Sequence, residues 1–587
     1  MRKINKHNIA TYILVGSIGV LIFNHFIMSL PTGPTIVFDE LYYKENAELI
    51  FLGKYFYHPI YPPLYSLIIS FALYFENWYQ GIQVINEILT VILIIPIWLI
   101  SRMFVGRTTA LLAILLTLLL PFQVIYPGYI MSENLFLFLF SFSVYFSLQG
   151  ANSATWKAGL FGVFLAAGYL TKYLMLPAIP ILVAFWIFTP ILKGGENYKS
   201  LILKRFWINC IVLIVCFVFT MLPWIIYAHH SNISLYNALG LFFTKTGFMT
   251  KASNAIYSGE RNLINLIMWV GSYTSYIILA LAPFLTLLLF YIPIICHLKN
   301  SKIEYKSEFL FLLLLILLTF IYCIVSTQHS FRVSYNYPNP SYLLGRYLMH
   351  FSPLFIVIGI IAVDRIFRYR DKLKKKNIIY ATFLMIFLIF LAMVILFKNA
   401  LWNFPSRFAN IPFNSPDSMF YKTVSIYLVI AFILLLGIFI FSLTITNSKK
   451  SEVIFVMIIS VVFCWQVMIF NNANSRAQKN ISGIHARNIA IVLNKNKYQN
   501  IPLYYSVRYL WPSYWESVSL FWGASKINYV AFEGAFPVCD TIDNILFLTE
   551  DSLPEQPISS YKFLDGNCYL YKLNPNKINY PITRKKK

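Results

Sequence analysis

The feature that most constrains this chain is a series of long apolar runs separated by short polar segments. A membrane-spanning helix needs about 20 mainly apolar residues, and roughly thirteen runs approach that length. One run is short (157–171) and one is too long for a single straight span (263–296), so either could contain a break or an extra helix. The runs are 9–30, 82–101, 108–126, 132–149, 157–171, 173–191, 206–228, 263–296, 308–327, 344–363, 378–397, 420–445 and 453–470.

Composition excludes an ordinary soluble protein. Hydrophobic residues make up 58% of the chain and charged residues only 12%, whereas about 25% of residues are charged in a typical soluble domain. The net charge of +24 does not indicate a nucleic-acid partner, because Lys and Arg cluster in short segments between apolar runs, where they act as topology signals. We therefore predict a polytopic α-helical protein of the cell (plasma) membrane, with about 13 transmembrane helices and a cytoplasmic N-terminus.

The tail, residues 471–587, differs from the membrane region, residues 1–470. Charged and turn residues return, and short β-rich runs appear: IPLYYSV, KINYVAF, NILFLTE and NCYLYKL. With an odd number of spans the tail lies outside the cytoplasm, so we predict a small C-terminal extracytoplasmic α/β domain. Two of the seven cysteines, Cys539 and Cys568, fall in this tail and are predicted to form a disulfide.

The first outer loop, residues 31–81, contains the acidic stretch that we interpret as the reaction centre. Asp39 and Glu40 open a segment whose polar and apolar positions separate at helical spacing, as in a helix lying on a membrane surface. Gly53 is predicted to end this helix. A structural interpretation of Asp39 is equally open, because Asp is a preferred helix N-cap.

The second half of this loop returns the chain to the bilayer. His58 and the pair Pro62–Pro63 are expected to stiffen the return, because each proline fixes φ and disfavours helix in the residue before it. Segment 64–79 is too short for a span and contains Glu76, so we predict an interfacial helix or a half-span.

Two charged residues of the following runs are candidate site residues. Glu133 falls at the outer end of the fourth span, where it could instead be a first-turn acid favoured by the helix dipole, with Ser132 as the cap. Lys172 lies between two short apolar runs, and an intramembrane lysine usually has an anionic partner elsewhere in the chain. Snorkelling of Lys172 to the headgroups is the alternative.

Further candidates lie at the ends of later spans. His229 and His230 follow the seventh span, and such a pair is more often interfacial than metal-binding. Arg346 and Tyr347 begin a late span, with Arg332 upstream, and an arginine fork suits phosphate oxygens. Arg346 could also simply anchor its helix at the headgroups.

Carboxylates near one edge of a cleft and cations at another suit transfer of a sugar from a polyprenyl-phosphate carrier. A phosphate is a weakly basic leaving group, so a cation can replace the acidic carboxylate that glycoside hydrolysis ordinarily requires. One carboxylate then suffices as the general base.

The order of motifs along the chain resembles the GT-C glycosyltransferases, in particular the branch with protein O-mannosyltransferases and the lipid A aminoarabinose transferase. The resemblance implies that Asp39 is the catalytic base with Glu40 as its neighbour, and that Tyr61 belongs to an HPP-like turn. His58 stands earlier than the histidine of that turn. The motifs are FDELYY, YPPLYSLII, ISRMFVGR, LLPFQVIYPGYIMSENLFL, AAGYLTKYLMLP, LPWIIY and LLGRYLMHFSPLF.

We assign the remaining candidates by the same resemblance and by charge. The predicted donor-phosphate group is Lys172, Arg346, Tyr347 and Arg332, and the predicted substrate-binding group is Glu133, His58, Tyr61 and His229.

The sequence thus predicts an inverting glycosyltransferase acting on the extracytoplasmic face. Its partners would be a polyprenyl-phosphate sugar donor, a protein, lipid or glycan acceptor, and membrane lipids. The sequence identifies no certain cofactor, and it leaves open whether a divalent metal takes part. A transporter or flippase for a lipid-linked saccharide, and an oligosaccharide polymerase or ligase, are the alternatives.

Overall fold

The computed structural model describes most of the chain up to residue 398 and five strands near the C-terminus. The described residues are 37–54, 61–192 without 119, 121–122 and 124–125, 204–240, 263–298 without 281, 303–333, 347–369, 375–398, 503–506, 529–532, 545–549, 559–563 and 566–573.

The described part of the membrane region is helical. Short 3₁₀ turns lie at Phe71–Tyr74, Tyr126–Gly128, Tyr173–Met175 and Met349–Phe351. The α-helices are α1 Val37–Phe51, α2 Pro63–Ser70, α3 Trp78–Ile92, α4 Ile94–Arg102, α5 Arg107–Leu118, α6 Glu133–Gln149, α7 Thr155–Thr171, α8 Ala178–Leu192, α9 Lys204–His230, α10 Leu235–Ala238, α11 Leu263–Ala280, α12 Ala282–Leu298, α13 Ile303–Val333, α14 Ser352–Arg368 and α15 Lys375–Lys398.

The ends of the first two helices follow from local sequence. Gly53 has φ +63°, and the amide of Lys54 donates to the carbonyl of Leu49 at 2.8 Å, which closes the end of α1. Gly53 therefore ends this helix, as its sequence predicts. Pro63 occupies the first position of α2 after an extended Pro62, where a missing amide proton costs nothing.

Three described helices are long and apolar enough to cross a membrane: Trp78–Arg102, Arg205–His230 and Lys306–His329. The long run 263–296 is divided into α11 and α12, as its length indicated. The short run 157–171 is one helix, α7. The predicted spans 9–30, 420–445 and 453–470 lie outside the described residues, so the total of about 13 stays a prediction.

The core around the site is formed by α6 and its neighbours. α7 packs between α6 and α9, and α6 also contacts α3 and α8. α7 and α9 approach closely because Gly162 faces the α9 backbone. A Cβ on Gly162 would lie 2.3 Å from the carbonyl oxygen of Leu213 and 3.0 Å from the amide nitrogen of Phe217, so no larger residue fits there without movement.

A second polar cluster lies at the C-terminal end of α14. The guanidinium of Arg365 donates to Glu308 of α13 at 2.9 Å and 2.5 Å, to Asp364 at 2.7 Å and to the carbonyl of Phe104 at 3.0 Å. Burial opposes the charge of Arg365, but the hydrogen bonds and charges of the two acids outweigh it and raise its pKa. The cluster ties α14 to α13 and to the loop after α4.

The strands of the tail form one mixed sheet in the order β2-β1-β3-β5-β4. β1 runs parallel to both β2 and β3, and β5 is antiparallel to β3 and β4. Four strands fall in the β-rich runs identified from the sequence, and β4 was not identified. The strands are β1 Leu503–Ser506, β2 Tyr529–Phe532, β3 Ile545–Thr549, β4 Ser559–Phe563 and β5 Gly566–Leu573.

The predicted disulfide is not tested by this sheet. Cys568 lies in β5, opposite Tyr561 of β4, whereas Cys539 lies outside the described residues.

Candidate active site

Asp39 lies in the first turn of α1 and is partly exposed. The hydroxyl of Tyr61 donates a hydrogen bond to its Oδ1 atom at 2.7 Å. Tyr61 stands directly before the Pro62–Pro63 pair that begins α2, so the two prolines limit how the backbone at this tyrosine can move. The contact fixes the carboxylate in one orientation.

The polar side of α1 packs against the protein. Glu40 is fully buried and accepts a hydrogen bond from the amide of Ile130 at 2.9 Å. Lys44, also buried, pairs with Glu48 at 2.8 Å and lies 5.3 Å from the ring centre of Trp78. This differs from the membrane-surface helix expected from the sequence, because these polar groups find partners inside the fold.

Tyrosine rings connect α1 with α2 and with the start of α6. The ring of Tyr43 lies 4.9 Å from that of Tyr61 and 5.1 Å from that of Tyr65, edge to face in both cases. The hydroxyl of Tyr43 donates to the Oγ atom of Ser132 at 2.7 Å. Burial raises the pKa of Tyr65, so this phenol stays neutral, and it donates to Asn86 at 3.0 Å.

An ion pair lies beyond Ser132. Glu133 is the first residue of α6 and is buried, and its Oε1 atom lies 2.5 Å from Nζ of Lys172. Ser132 makes no side-chain cap hydrogen bond to the helix. Instead its hydroxyl lies between Tyr43 and Glu133, at 3.5 Å from Oε2 of that acid. Lys172 therefore has the distant anionic partner that an intramembrane lysine requires.

The position of Lys172 depends on the end of α7. Its backbone is extended (φ −156°, ψ 122°) between Thr171, the last helical residue, and the 3₁₀ turn Tyr173–Met175. The side chain reaches the ring of Tyr347, whose centre is 5.4 Å from Nζ. That distance suits a cation–π contact, and Tyr347 also stacks edge to face on His329 at 5.4 Å.

These contacts form one continuous path from Asp39 to Lys172. The path runs through Tyr61, Tyr43, Ser132 and Glu133. An oriented carboxylate stands at one end, and a partly exposed ammonium, held by an acid and an aromatic ring, stands at the other. A carboxylate can accept a proton from an attacking hydroxyl, and an ammonium can stabilise charge on a departing group.

Several predicted site residues are not part of this path. His58 and Arg346 lie outside the described residues, and Arg332 lies in α13 with its side chain not described. His229 is exposed at the end of α9, with its ring 5.9 Å from that of His230. Within the described ranges, no three His, Cys, Asp or Glu side chains are grouped so as to hold a metal ion.

Two residues near the path, Tyr43 and His350, were not singled out from the sequence, and Ser132 was named only as a helix cap. Tyr43 and Ser132 connect Glu133 to the aromatic layer, and His350 is buried among aromatic rings. The hydroxyls carry no distinctive sequence signal. His350 could have been noticed as a histidine inside the apolar run 344–363.

Comparison with known families agrees with the sequence motifs. Residues 58–227 match the model of the family described as dolichyl-phosphate-mannose-protein mannosyltransferase. The match confirms the predicted resemblance to protein O-mannosyltransferases over less than a third of the chain. It includes Tyr61, Glu133 and Lys172, and it begins after Asp39. No curated protein sequence matches the chain.

Solved structures with a similar course of the backbone include two of ArnT from Cupriavidus metallidurans, one bound to undecaprenyl phosphate and one in the apo state. Each is 13% identical, has a TM-score of 0.49, and is matched over 96% of this chain and 98% of that chain. The archaeal oligosaccharyltransferase AglB from Archaeoglobus fulgidus, in complex with an inhibitory peptide and a dolichol-phosphate, is 12% identical with a TM-score of 0.39. The match covers 76% of this chain and 59% of AglB.

Proposed function

We propose that this protein is an inverting glycosyltransferase that moves a sugar from a polyprenyl-phosphate carrier to an acceptor hydroxyl on the extracytoplasmic face of the membrane. The observation that carries the proposal is the path of hydrogen bonds and one ring contact from Asp39 to the Glu133–Lys172 pair. The family match over residues 58–227 supports the same class of reaction.

Asp39 has the role of general base in this proposal. A sugar or serine hydroxyl is a poor nucleophile until its proton is partly removed, and a positioned carboxylate within hydrogen-bond reach can accept that proton. The hydrogen bond from Tyr61 supports this role, because it holds the carboxylate in one orientation. Glu40 has a supporting role, since it anchors the start of α1 to Ile130.

Lys172 acts on the leaving phosphate in this proposal. The bond between the anomeric carbon and the phosphate oxygen breaks, and the electron pair leaves with the phosphate. An ammonium beside that oxygen stabilises the charge that develops there. Attack by the acceptor from the opposite face of the sugar then inverts the anomeric configuration.

The donor and acceptor are proposed by chemical class. The carrier is a polyprenyl phosphate, which suits a site beside membrane-spanning helices. The acceptor is a hydroxyl of a protein, lipid or glycan. Arg346 and Arg332 are the further cations proposed for the phosphate, and His58 and His229 remain proposed acceptor or sugar contacts.

Transfer assays with the purified full-length protein test the proposal. Radiolabelled polyprenyl-phosphate sugars are incubated with the protein and a membrane extract, and transfer of the label is measured. Asp39→Asn should lower turnover by roughly 100-fold or more, the scale of losing a positioned base. Glu48→Gln, which removes a carboxylate from the same helix but away from the path, should leave turnover per folded molecule unchanged.

Three results would contradict the proposal. Asp39→Asn with wild-type turnover would exclude this residue as the base. Absence of label transfer from every donor, together with movement of lipid-linked sugar across vesicles that contain the protein, would establish the transporter instead. Retention of anomeric configuration in the product would refute the inverting mechanism.

A further inference from the structure

His350 is a buried histidine that the proposed mechanism does not use. Only 1% of its surface is exposed, and its Nε2 atom has no hydrogen-bond partner among the described residues. Aromatic rings surround it, with centres at 4.2–5.4 Å: Phe136, Phe140, Tyr322 and Phe351.

An unpartnered nitrogen in such a place needs a physical explanation. Buried polar groups are nearly always hydrogen-bonded, because an unsatisfied donor or acceptor loses its hydration without a replacement. A phenylalanine or leucine would fill the same volume at no such cost. An imidazole in this aromatic shell can satisfy its Nε2 atom if a hydrogen-bond donor moves beside it.

Two contacts connect His350 with the ammonium of Lys172. The ammonium lies 5.4 Å from the ring centre of Tyr347 and pairs with Glu133, one helical turn before Phe136, whose ring contacts that of His350. His350 belongs to the 3₁₀ turn Met349–Phe351, and Tyr347 lies three residues before it. Both rings contact α13, at Tyr322 and His329 respectively. The ammonium has three N–H groups, and Glu133 accepts from it through Oε1.

We propose that His350 is a positioning residue for Lys172, whose ammonium donates a hydrogen bond to the free Nε2 atom when it turns from Glu133 toward a bound lipid phosphate. Glu133 holds the lysine in the ligand-free protein. His350 holds it in the phosphate-bound protein, so the ammonium is not lost to solvent when it leaves its acid partner. The identification of the ligand as a lipid phosphate rests on the proposed function.

A neutral imidazole suits this task better than a second carboxylate. A carboxylate at this position would compete with the phosphate for the ammonium, because both are anions. The Nε2 lone pair accepts an N–H without adding negative charge, so the attraction between Lys172 and the phosphate is retained.

Binding of undecaprenyl phosphate to the full-length protein in detergent tests the inference without requiring transfer. Binding is measured as the rise in melting temperature with ligand concentration. His350→Phe keeps the ring and removes the nitrogen, and we expect it to weaken binding about tenfold, the effect of one hydrogen bond to a charged group. His350→Gln places an amide near the Nε2 position and should recover most of the loss.

A double-mutant cycle separates this role from simple packing. In a Lys172→Met background, His350→Phe should produce no further loss of binding, because the lysine that it positions is gone. A merely structural histidine would give the same loss in both backgrounds. If His350→Phe is poorly expressed, His350→Asn serves instead, because its shorter amide cannot reach the Nε2 position.

The results that test the role of His350 differ from those that test the proposed glycosyltransferase. Wild-type binding by His350→Phe, or an equal loss in the Lys172→Met background, would overturn the role of His350 whether or not the protein transfers sugar. Where transfer is detected, His350→Phe should raise KM for the lipid donor and lower kcat, and His350→Gln should restore both. If the binding cycle shows the expected coupling between His350 and Lys172 but no sugar is transferred, the glycosyltransferase proposal is refuted and the role of His350 stands.

Discussion

Gly162→Ala should destabilise the protein, because the two helices that meet at this glycine are in backbone contact. An added Cβ would lie 2.3 Å from the carbonyl oxygen of Leu213, and an ordinary contact is about 3.4 Å or more. The helices would have to separate by about 1 Å. Because the opposing atom is backbone in the 27-residue helix α9, no side-chain rotation relieves the clash.

The expected loss of stability lies at the upper end of the range for an overpacked interface. Inserting a methyl group into a packed interface costs typically 1–3 kcal/mol, and we expect about 3 kcal/mol here. At roughly 2 °C per kcal/mol for a large chain, the melting temperature should fall by about 6 °C. Gly106→Ala is the matched control, because nothing lies within 4 Å of its added Cβ, and its effect should stay within about 0.5 kcal/mol.

The same substitution should affect the site. α7 carries Lys172 directly after its last residue, about 15 Å along the helix from Gly162, so a displaced α7 moves Lys172 relative to Glu133. Thermal unfolding in detergent and binding of undecaprenyl phosphate measure the two effects. If Gly162→Ala melts within about 1 °C of both the wild type and the Gly106→Ala control, the close contact between α7 and α9 is refuted.

Three further substitutions test the site and its support. Tyr61→Phe removes the hydroxyl that orients Asp39 and should lower turnover about tenfold, the equivalent of roughly 1.4 kcal/mol. The melting temperature should not change. Unchanged turnover would contradict the orienting role of Tyr61. Glu133→Gln removes the anion that pairs with the partly exposed ammonium of Lys172 and should cost about 2 kcal/mol of stability. Thermal unfolding at several salt concentrations checks this, and a wild-type melting temperature would contradict it. Arg365→Met leaves the buried carboxylate of Glu308 without its cation and should destabilise the protein by about 3 kcal/mol. Transfer per folded molecule should persist, because Arg365 lies at the far end of α14, about 25 Å from the site. A loss of turnover in the folded fraction would show that the cluster acts on the site.

Local signals in the sequence were sufficient for much of the fold. Apolar run length located the described helices, and the excess length of run 263–296 indicated that it holds more than one helix, as α11 and α12 show. Gly53 and the Pro62–Pro63 pair determine chain direction through their own backbone preferences. These features depend on neighbouring residues alone, so a single sequence contains them.

The site contacts could not be predicted in the same way. The burial of Glu40 and Lys44 depends on which residues pack against α1, and those residues lie 34–90 positions further along the chain. Periodicity shows only that polar and apolar positions separate on a helix. It does not show whether the polar side meets water or the polar groups of another segment.

The pairing of Glu133 with Lys172 changes the charge balance of the proposed reaction. Considered without Glu133, Lys172 would offer the phosphate one positive charge. In the structure it forms an ion pair with Glu133, and the pair has no net charge. A donor phosphodiester carries one negative charge, whereas the released phosphate monoester carries about −1.5 to −2 at neutral pH. The attraction of Lys172 for the phosphate therefore rises as the bond to the sugar breaks, while its attraction for Glu133 stays constant. Under the proposed function, separating Lys172 from Glu133 costs the same in both states, so the net gain from Lys172 is larger for the leaving group than for the bound donor. Interactions that strengthen toward the transition state raise kcat rather than donor affinity.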